Sequence, residues 1–152
     1  MRKIDQLDRR ILEILQADAT LPVATIAARV GLSQTPCWRR IQRMRSDGVI
    51  QATVALVKPE AIGLGLTVFI SVQAPAHSTE WLSAFTEVVS ALPQVLEVYR
   101  MAGEVDYLLR VAVADMAAFD DFYRSLIDSV PMKNVSSHFA MEQVKHTKAY
   151  PV

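Results

Sequence analysis

The chain has 152 residues, 51% of them hydrophobic, and a formal net charge of zero. That length allows one domain or two small ones, with a substantial core, and the charge excludes a highly basic nucleic-acid binder. A single cysteine, Cys37, excludes an intramolecular disulfide and a cysteine metal cluster. The charge is unevenly spread. Residues 1–60 hold 10 Lys and Arg against 6 Asp and Glu, and residues 61–152 hold 6 against 10. A basic module joined to an acidic one is the expected organisation. The start, Met1-Arg2-Lys3-Ile4-Asp5, has no apolar signal region, and no apolar run reaches membrane-spanning length. A soluble, cytoplasmic protein with no membrane partner is expected.

The first helix is predicted over 4–17. Leu7, Ile11, Ile14 and Leu15 form an i, i+4, i+7, i+8 stripe, and Asp5 or Asp8 can cap its N-terminus. Pro22 suits the first position of a short second helix over 22–30, which buries Ile26, Ala27 and Val30. Gly31 can take the positive φ that stops that helix, and Ser33 is a good cap for the next. Pro36 falls in the first turn of the third helix, where a missing N–H costs nothing.

In that third helix Cys37, Ile41 and Met44 make one apolar stripe. The other side presents Thr35, Arg39, Gln42 and Arg43, with Gln34 and Trp38 beside them near the N-terminal end. Long donors and a planar ring on one face are what a helix entering a major groove needs. The ordered set is a helix-turn-helix. DNA contacts are expected from Gln34, Thr35, Trp38, Arg39, Gln42 and Arg43. The bland alternatives are a solvated amphipathic face and a protein-binding three-helix bundle.

Asp47-Gly48 ends the third helix, and 49–57 has strand composition until Lys58-Pro59-Glu60 breaks it. It is expected as a wing-like or linking strand, with a hinge at 61–65 eased by Gly63 and Gly65. Beyond it lies an internal repeat. Trp81, Phe85, Val89, Leu92 and Pro93 match Phe119, Tyr123, Ile127, Val130 and Pro131, each pair offset by 38. Strands are expected before and after each helical block, at 66–74, 95–102, 106–114 and 135–145. The order βαββαβ is ferredoxin-like, with a glycine hairpin at Ala102-Gly103-Glu104-Val105. Two helices cover one sheet face, and the apolar second face calls for another subunit.

Three domain segments are expected: 1–50 a helix-turn-helix, 51–65 a linker strand and hinge, and 66–152 a ferredoxin-like effector and assembly domain. The fold class expected is α+β, an N-terminal three-helix (winged) helix-turn-helix followed by the C-terminal ferredoxin-like βαββαβ domain.

The chain resembles the Lrp/AsnC feast-or-famine transcriptional regulators over nearly its whole length. The matching marks are Ile4-Asp5-x-x-Asp8-x-x-Ile11-Leu12, Val30-Gly31-Leu32-Ser33-x-Thr35-Pro36-Cys37-x-x-Arg40 and Asp47-Gly48-Val49-Ile50. They continue with Gly103-Glu104-Val105-Asp106-Tyr107-Leu108-Leu109 and Met141-Glu142-Gln143-Val144-Lys145. The resemblance implies a sequence-specific DNA-binding regulator of amino-acid metabolism that is not an enzyme. It also implies homodimers assembling further, to octamers in many members, and an amino-acid effector with no cofactor. The implied effector pocket lies between subunits and involves Arg100, Met101, Gly103, Glu104, Asp106, His138, Phe139 and Ala140. Met116 falls where the family tunes its response. Glu104 stands where many members have aspartate, and Arg100 where several have an apolar residue, which implies a more polar site. The branch most resembled, through Ser78-Thr79-Glu80-Trp81 and Phe139-Ala140-Met141-Glu142-Gln143, includes regulators of sulfur amino-acid breakdown, so cysteine is an effector candidate.

A zwitterionic ligand needs an anion site and a cation site close together. Asp106 or Glu104 could accept from its ammonium, and N–H groups of the Gly103 turn could hold its carboxylate. The bland readings are a hairpin glycine, a turn aspartate, and a surface pair of Arg100 with Glu97 or Glu142. Cys37 is read as a small core residue rather than a redox switch. His77, His138 and His146 lack metal-ligand spacing, and no catalytic set is visible. The competing classes are an architectural DNA-binding protein and the regulatory module of a metabolic enzyme.

Overall fold

The computed structural model describes residues 3–152; Met1 and Arg2, part of the charged start, lie outside the described residues. Contacts divide the chain into two units, one reaching to Leu56 and including Lys145–Val152, the other Val57–Val144.

The first unit has three helices, α1 (Gln6–Ala17), α2 (Val23–Val30) and α3 (Gln34–Ser46). Asp5 caps α1. Its side chain accepts the Asp8 N–H at 2.9 Å while the Asp8 carboxylate accepts the Asp5 N–H at 3.2 Å, a reciprocal capping box. Pro22 is the N-cap of α2 rather than its first residue, and its carbonyl accepts from Thr25 and Ile26. Gly31 closes α2 with φ +74, and the Leu32 N–H reaches back to the Ala27 carbonyl at 2.9 Å. A side chain at Gly31 would meet nothing within 4 Å, so only backbone conformation demands glycine there. Ser33 is the N-cap of α3, but its side chain makes no capping bond. The three helices close on Ile11, Leu12, Ile26, Ala27, Val30, Cys37, Ile41 and Met44. The stripe expected of α3 is therefore its buried face. Burial pushes the Cys37 thiol above its ordinary range, which favours the inert protonated form.

No strand forms over 51–58. The stretch is exposed, Val54 at 72%, and within its own unit no strand offers a ladder to pair with. The expected wing is absent among the described residues despite its β-rich composition. The expected hinge holds a short 3-10 turn, Pro59–Ile62, closed by Gly63 at φ +80. The tail 145–152 stands with the helical unit, where a second domain running to 152 was expected. Gln16 explains this: its Nε2 donates to the Tyr150 carbonyl at 3.0 Å and its Oε1 accepts the Tyr150 N–H at 2.6 Å. Val152 also packs on the helical core.

The second unit runs β1 (Leu66–Gln73), α4 (Thr79–Ala91), β2 (Val95–Arg100), β3 (Tyr107–Val113), α5 (Met116–Ser129), β4 (Asn134–Phe139). The sheet order is β2-β3-β1-β4, antiparallel throughout, which is the ferredoxin-like arrangement. Val68, Ile70, Val72, Tyr107, Leu109, Val111 and Val113 alternate toward the helices and are buried with Trp81, Phe85, Val89, Phe119, Phe122 and Leu126. Trp81 stacks on Phe85 at 4.9 Å, Tyr107 lies 4.8 Å from Phe85, and the Trp81 indole donates to the Pro131 carbonyl at 2.6 Å. Each such ring pair adds about 0.5–1.5 kcal/mol beyond the area it buries.

The 38-residue repeat holds in element order but slips in facing. α4 buries 81, 85 and 89, whereas α5 buries 119, 122 and 126 and leaves Ile127 41% exposed. The last strand stops at Phe139 instead of 145, because β1 begins at Leu66 and offers only one more bond, from the Ala140 N–H to the Thr67 carbonyl.

Candidate functional site

In α3 the residues expected on DNA divide into two groups. Gln34, Thr35, Trp38 and Arg39 are exposed, Trp38 by half, and Gln42 is half-buried. Arg43 is not free. Its Nη2 donates to Asp8 Oδ2 at 2.5 Å, and Arg40 Nη1 donates to Asp8 Oδ1 at 2.8 Å and to Asp5 Oδ2 at 2.7 Å. Asp8 is completely buried. A carboxylate out of water is sustained only by full pairing, and here two guanidinium groups and a backbone N–H supply it. The Arg40 guanidinium holds the Asp5 carboxyl down at about 2, and the carboxylates hold the Arg40 pKa up. Sequence reasoning missed this network. Its only signal was an aspartate at the cap and another in the first turn of one helix, with arginines on the helix packed against it.

The expected effector residues fall into two sets within the second unit. The first surrounds the β2–β3 hairpin. Gly103 has φ +123, and the Met101 N–H bonds the Asp106 carbonyl at 2.8 Å. Met101, Gly103 and Glu104 are exposed on the turn. Asp106 binds the end of β1: its Oδ2 accepts the Ala74 N–H at 2.8 Å, its own N–H donates to the Val72 carbonyl at 3.0 Å, and its Oδ1 lies 3.7 Å from His77 Nε2. Gln73 Nε2 donates to the Glu104 carbonyl at 2.6 Å. Arg100 is in no ion pair among the described residues, and Glu97 pairs instead with Arg110 at 2.5 Å. Arg100 instead lines a cavity of about 190 Å³ with His77, Ser78, Thr79, Trp81 and Tyr107. The register places Arg100 and Tyr107 side by side at the end of the sheet where α4 begins, and neighbours in sequence alone did not disclose that.

The second set lies at the far end of β4. His138 pairs opposite Phe69 on the helix-free face; Phe139 pairs opposite Val68 and meets Phe119 edge-on at 5.0 Å. Since Asp106 adjoins Val72, the sets are separated by about 13 Å along β1 alone, on opposite sides of the sheet order. One chain does not bring them together. Met116 is exposed at the start of α5. No group of three or more His, Cys, Asp and Glu residues suited to a metal occurs among the described residues. Among the described residues no helix is long and apolar enough to cross a membrane.

A helix-turn-helix followed by a ferredoxin-like domain defines a two-domain transcriptional regulator. Comparison with known proteins gives the family. Residues 4–45 match the AsnC-type helix-turn-helix domain, and residues 67–150 match the Lrp/AsnC ligand binding domain. The DNA-binding transcriptional activator DecR of Escherichia coli strain K12 is 49% identical over 150 residues, 98% of this chain and 99% of that protein. The crystal structure of an AsnC family transcriptional regulator from Agrobacterium tumefaciens is similar with TM-score 0.93 and 56% identity, covering 97% of this chain and 96% of that one. That of a Neisseria meningitidis transcriptional regulator in complex with L-methionine gives TM-score 0.93 at 33% identity, covering 98% and 97%. The chain belongs to the Lrp/AsnC family of DNA-binding transcriptional regulators and is not an enzyme.

Proposed function

We propose that this regulator controls genes of amino-acid metabolism, and that a small amino acid bound between subunits sets its affinity for a specific operator. DNA is met by α3 through Gln34, Thr35, Trp38, Arg39 and Gln42, an exposed face opposite the buried Cys37, Ile41 and Met44. The observation that carries the effector reading is the separation of the two residue sets. A pocket using both the Gly103–Asp106 hairpin and His138–Ala140 is complete only when a second copy supplies one of them. An unpaired Arg100 beside the hairpin offers a partner for a ligand carboxylate, and Asp106 and Glu104 offer partners for its ammonium. The L-methionine complex of the Neisseria relative supports an amino acid as the ligand class. Cysteine and methionine head the candidates. Assembly proceeds from dimers to a higher oligomer, with the octamer as the proposed end state.

Calorimetry of the full chain with the amino acids, with and without an operator duplex selected from a random pool, tests this. Linkage requires the effector and the operator to change each other's affinity by the same factor. The informative variant is Asp106→Asn, because an amide oxygen still accepts the Ala74 N–H. Asp106→Ala would leave that donor unpaired, at about 1–3 kcal/mol. Asp106→Asn is expected to lose effector binding and keep effector-free DNA binding. Undiminished binding in Asp106→Asn places the pocket elsewhere, and no binding by any amino acid leaves a purely architectural DNA-binding protein.

A further inference from the structure

Helix α3 carries Arg39, Arg40, Arg43 and Arg45. Two of them are held by α1. Asp8, wholly buried, takes Arg40 on one oxygen and Arg43 on the other, and Asp5 takes Arg40 from outside. Arg39 and Arg45 are exposed and in no ion pair among the described residues. Arg43 lies one turn along from Arg39, so by helical spacing it belongs to the face that meets DNA. Its guanidinium nevertheless points back to α1, and its side chain is 27% exposed.

We propose that Asp8, with Asp5, is a specificity-determining positioning pair that keeps Arg40 and Arg43 off the DNA phosphates. The proposal rests on α3 being the DNA-facing helix. Phosphate contacts carry no sequence information, and each adds equally to binding at every site. A guanidinium bound to a buried carboxylate reaches a phosphate only by leaving that carboxylate desolvated and half-paired, which opposes the exchange. Asp8 therefore subtracts two cations from the non-specific interface. Arg39 and its polar neighbours are left to read base edges. The same bonds fix α3 against α1, so the reading face is presented in one orientation.

The test uses the full-length protein, with fluorescence anisotropy on two duplexes of equal length, one selected from a random pool by the wild type and one of random sequence. Affinities are measured in potassium chloride from about 50 to 200 mM. Asp8→Asn is expected to bind the random duplex more tightly, lower the ratio of selected to random affinity, and steepen the salt slope by about 0.9 for each arginine that reaches a phosphate. An equal loss on both duplexes with an unchanged slope would mean that Asp8 only supports the fold, and would overturn the proposal. Because Asp8→Asn could fail to fold, Arg43→Gln gives an independent reading. Its salt slope is expected to equal that of the wild type on both duplexes, since Arg43 never touches phosphate. A slope shallower by about 0.9 would place Arg43 on the backbone and overturn the proposal. Arg39→Gln separates the two readings. If it leaves both affinities unchanged, α3 is not the DNA-facing helix, whatever the behaviour of Arg43.

Discussion

Asp5 is the residue where electrostatics and local structure meet most plainly. It caps α1, completes the reciprocal bond with Asp8 and pairs with Arg40. The Arg40 bond is the main reason its carboxyl titrates at about 2 instead of the usual 3.8. A depressed pKa in the folded state contributes stability that is present above the unfolded value and lost as pH falls toward the folded one. Between pH 3.8 and about 2 the wild type is therefore expected to lose stability that Asp5→Asn lacks throughout. Thermal unfolding at steps of pH checks this. The gap between wild type and Asp5→Asn should close across that window and shrink with added salt, because half of the Asp5 side chain is in water. A gap independent of pH would assign the effect of Asp5 to capping alone.

At the level of elements, the tail and α1 make the least foreseeable pairing. The Gln16 amide meets the Tyr150 backbone twice, and Val152 adds apolar contact beside a hollow of about 480 Å³ between α1 and the stretch 49–54. Two partly solvated hydrogen bonds are worth roughly 1–2 kcal/mol together. Gln16→Ala is expected to lower the melting temperature by a few degrees, and removal of residues 149–152 by somewhat more. Calorimetric scans of the full chain and the two variants check it; identical transitions would show that the tail adds nothing to the helical unit. α5 shows the limit of a repeat. Phe122 and Leu126 take the buried positions that Tyr123 and Ile127 were matched to, because one face must fit the sheet beneath it whatever the alignment with α4 suggests.

For the whole molecule the governing fact is apolar surface that one chain leaves uncovered. Phe69, Leu108 and Tyr99 lie on the sheet face away from the helices, around the Arg110–Glu97 pair, with Phe69 37% and Tyr99 51% exposed. A monomeric protein rarely keeps such a face open. Residues 57–144, which hold their own core, are expected to be at least dimeric when expressed alone. Light scattering at micromolar concentration decides it. A monomer there would transfer assembly to other parts of the chain, of which the exposed Val54 and Leu56 are the first candidates.

Local chemistry determined much of this protein. The periodic apolar stripes, the capping aspartate, Gly31 and the hairpin glycine were legible as sequence because each depends on a few neighbouring residues. The βαββαβ order followed from alternating periodicities in the same way. What the sequence could not disclose depends on partners far along the chain. Residues 51–58 have strand composition but stay unpaired, since a strand exists only where another backbone lies beside it. Asp8 and Arg43 are separated by 35 positions, and only the crossing of α1 and α3 makes them an internal ion pair. Likewise the register of four strands, not the identity of any residue, places the hairpin and His138 at opposite ends of one sheet.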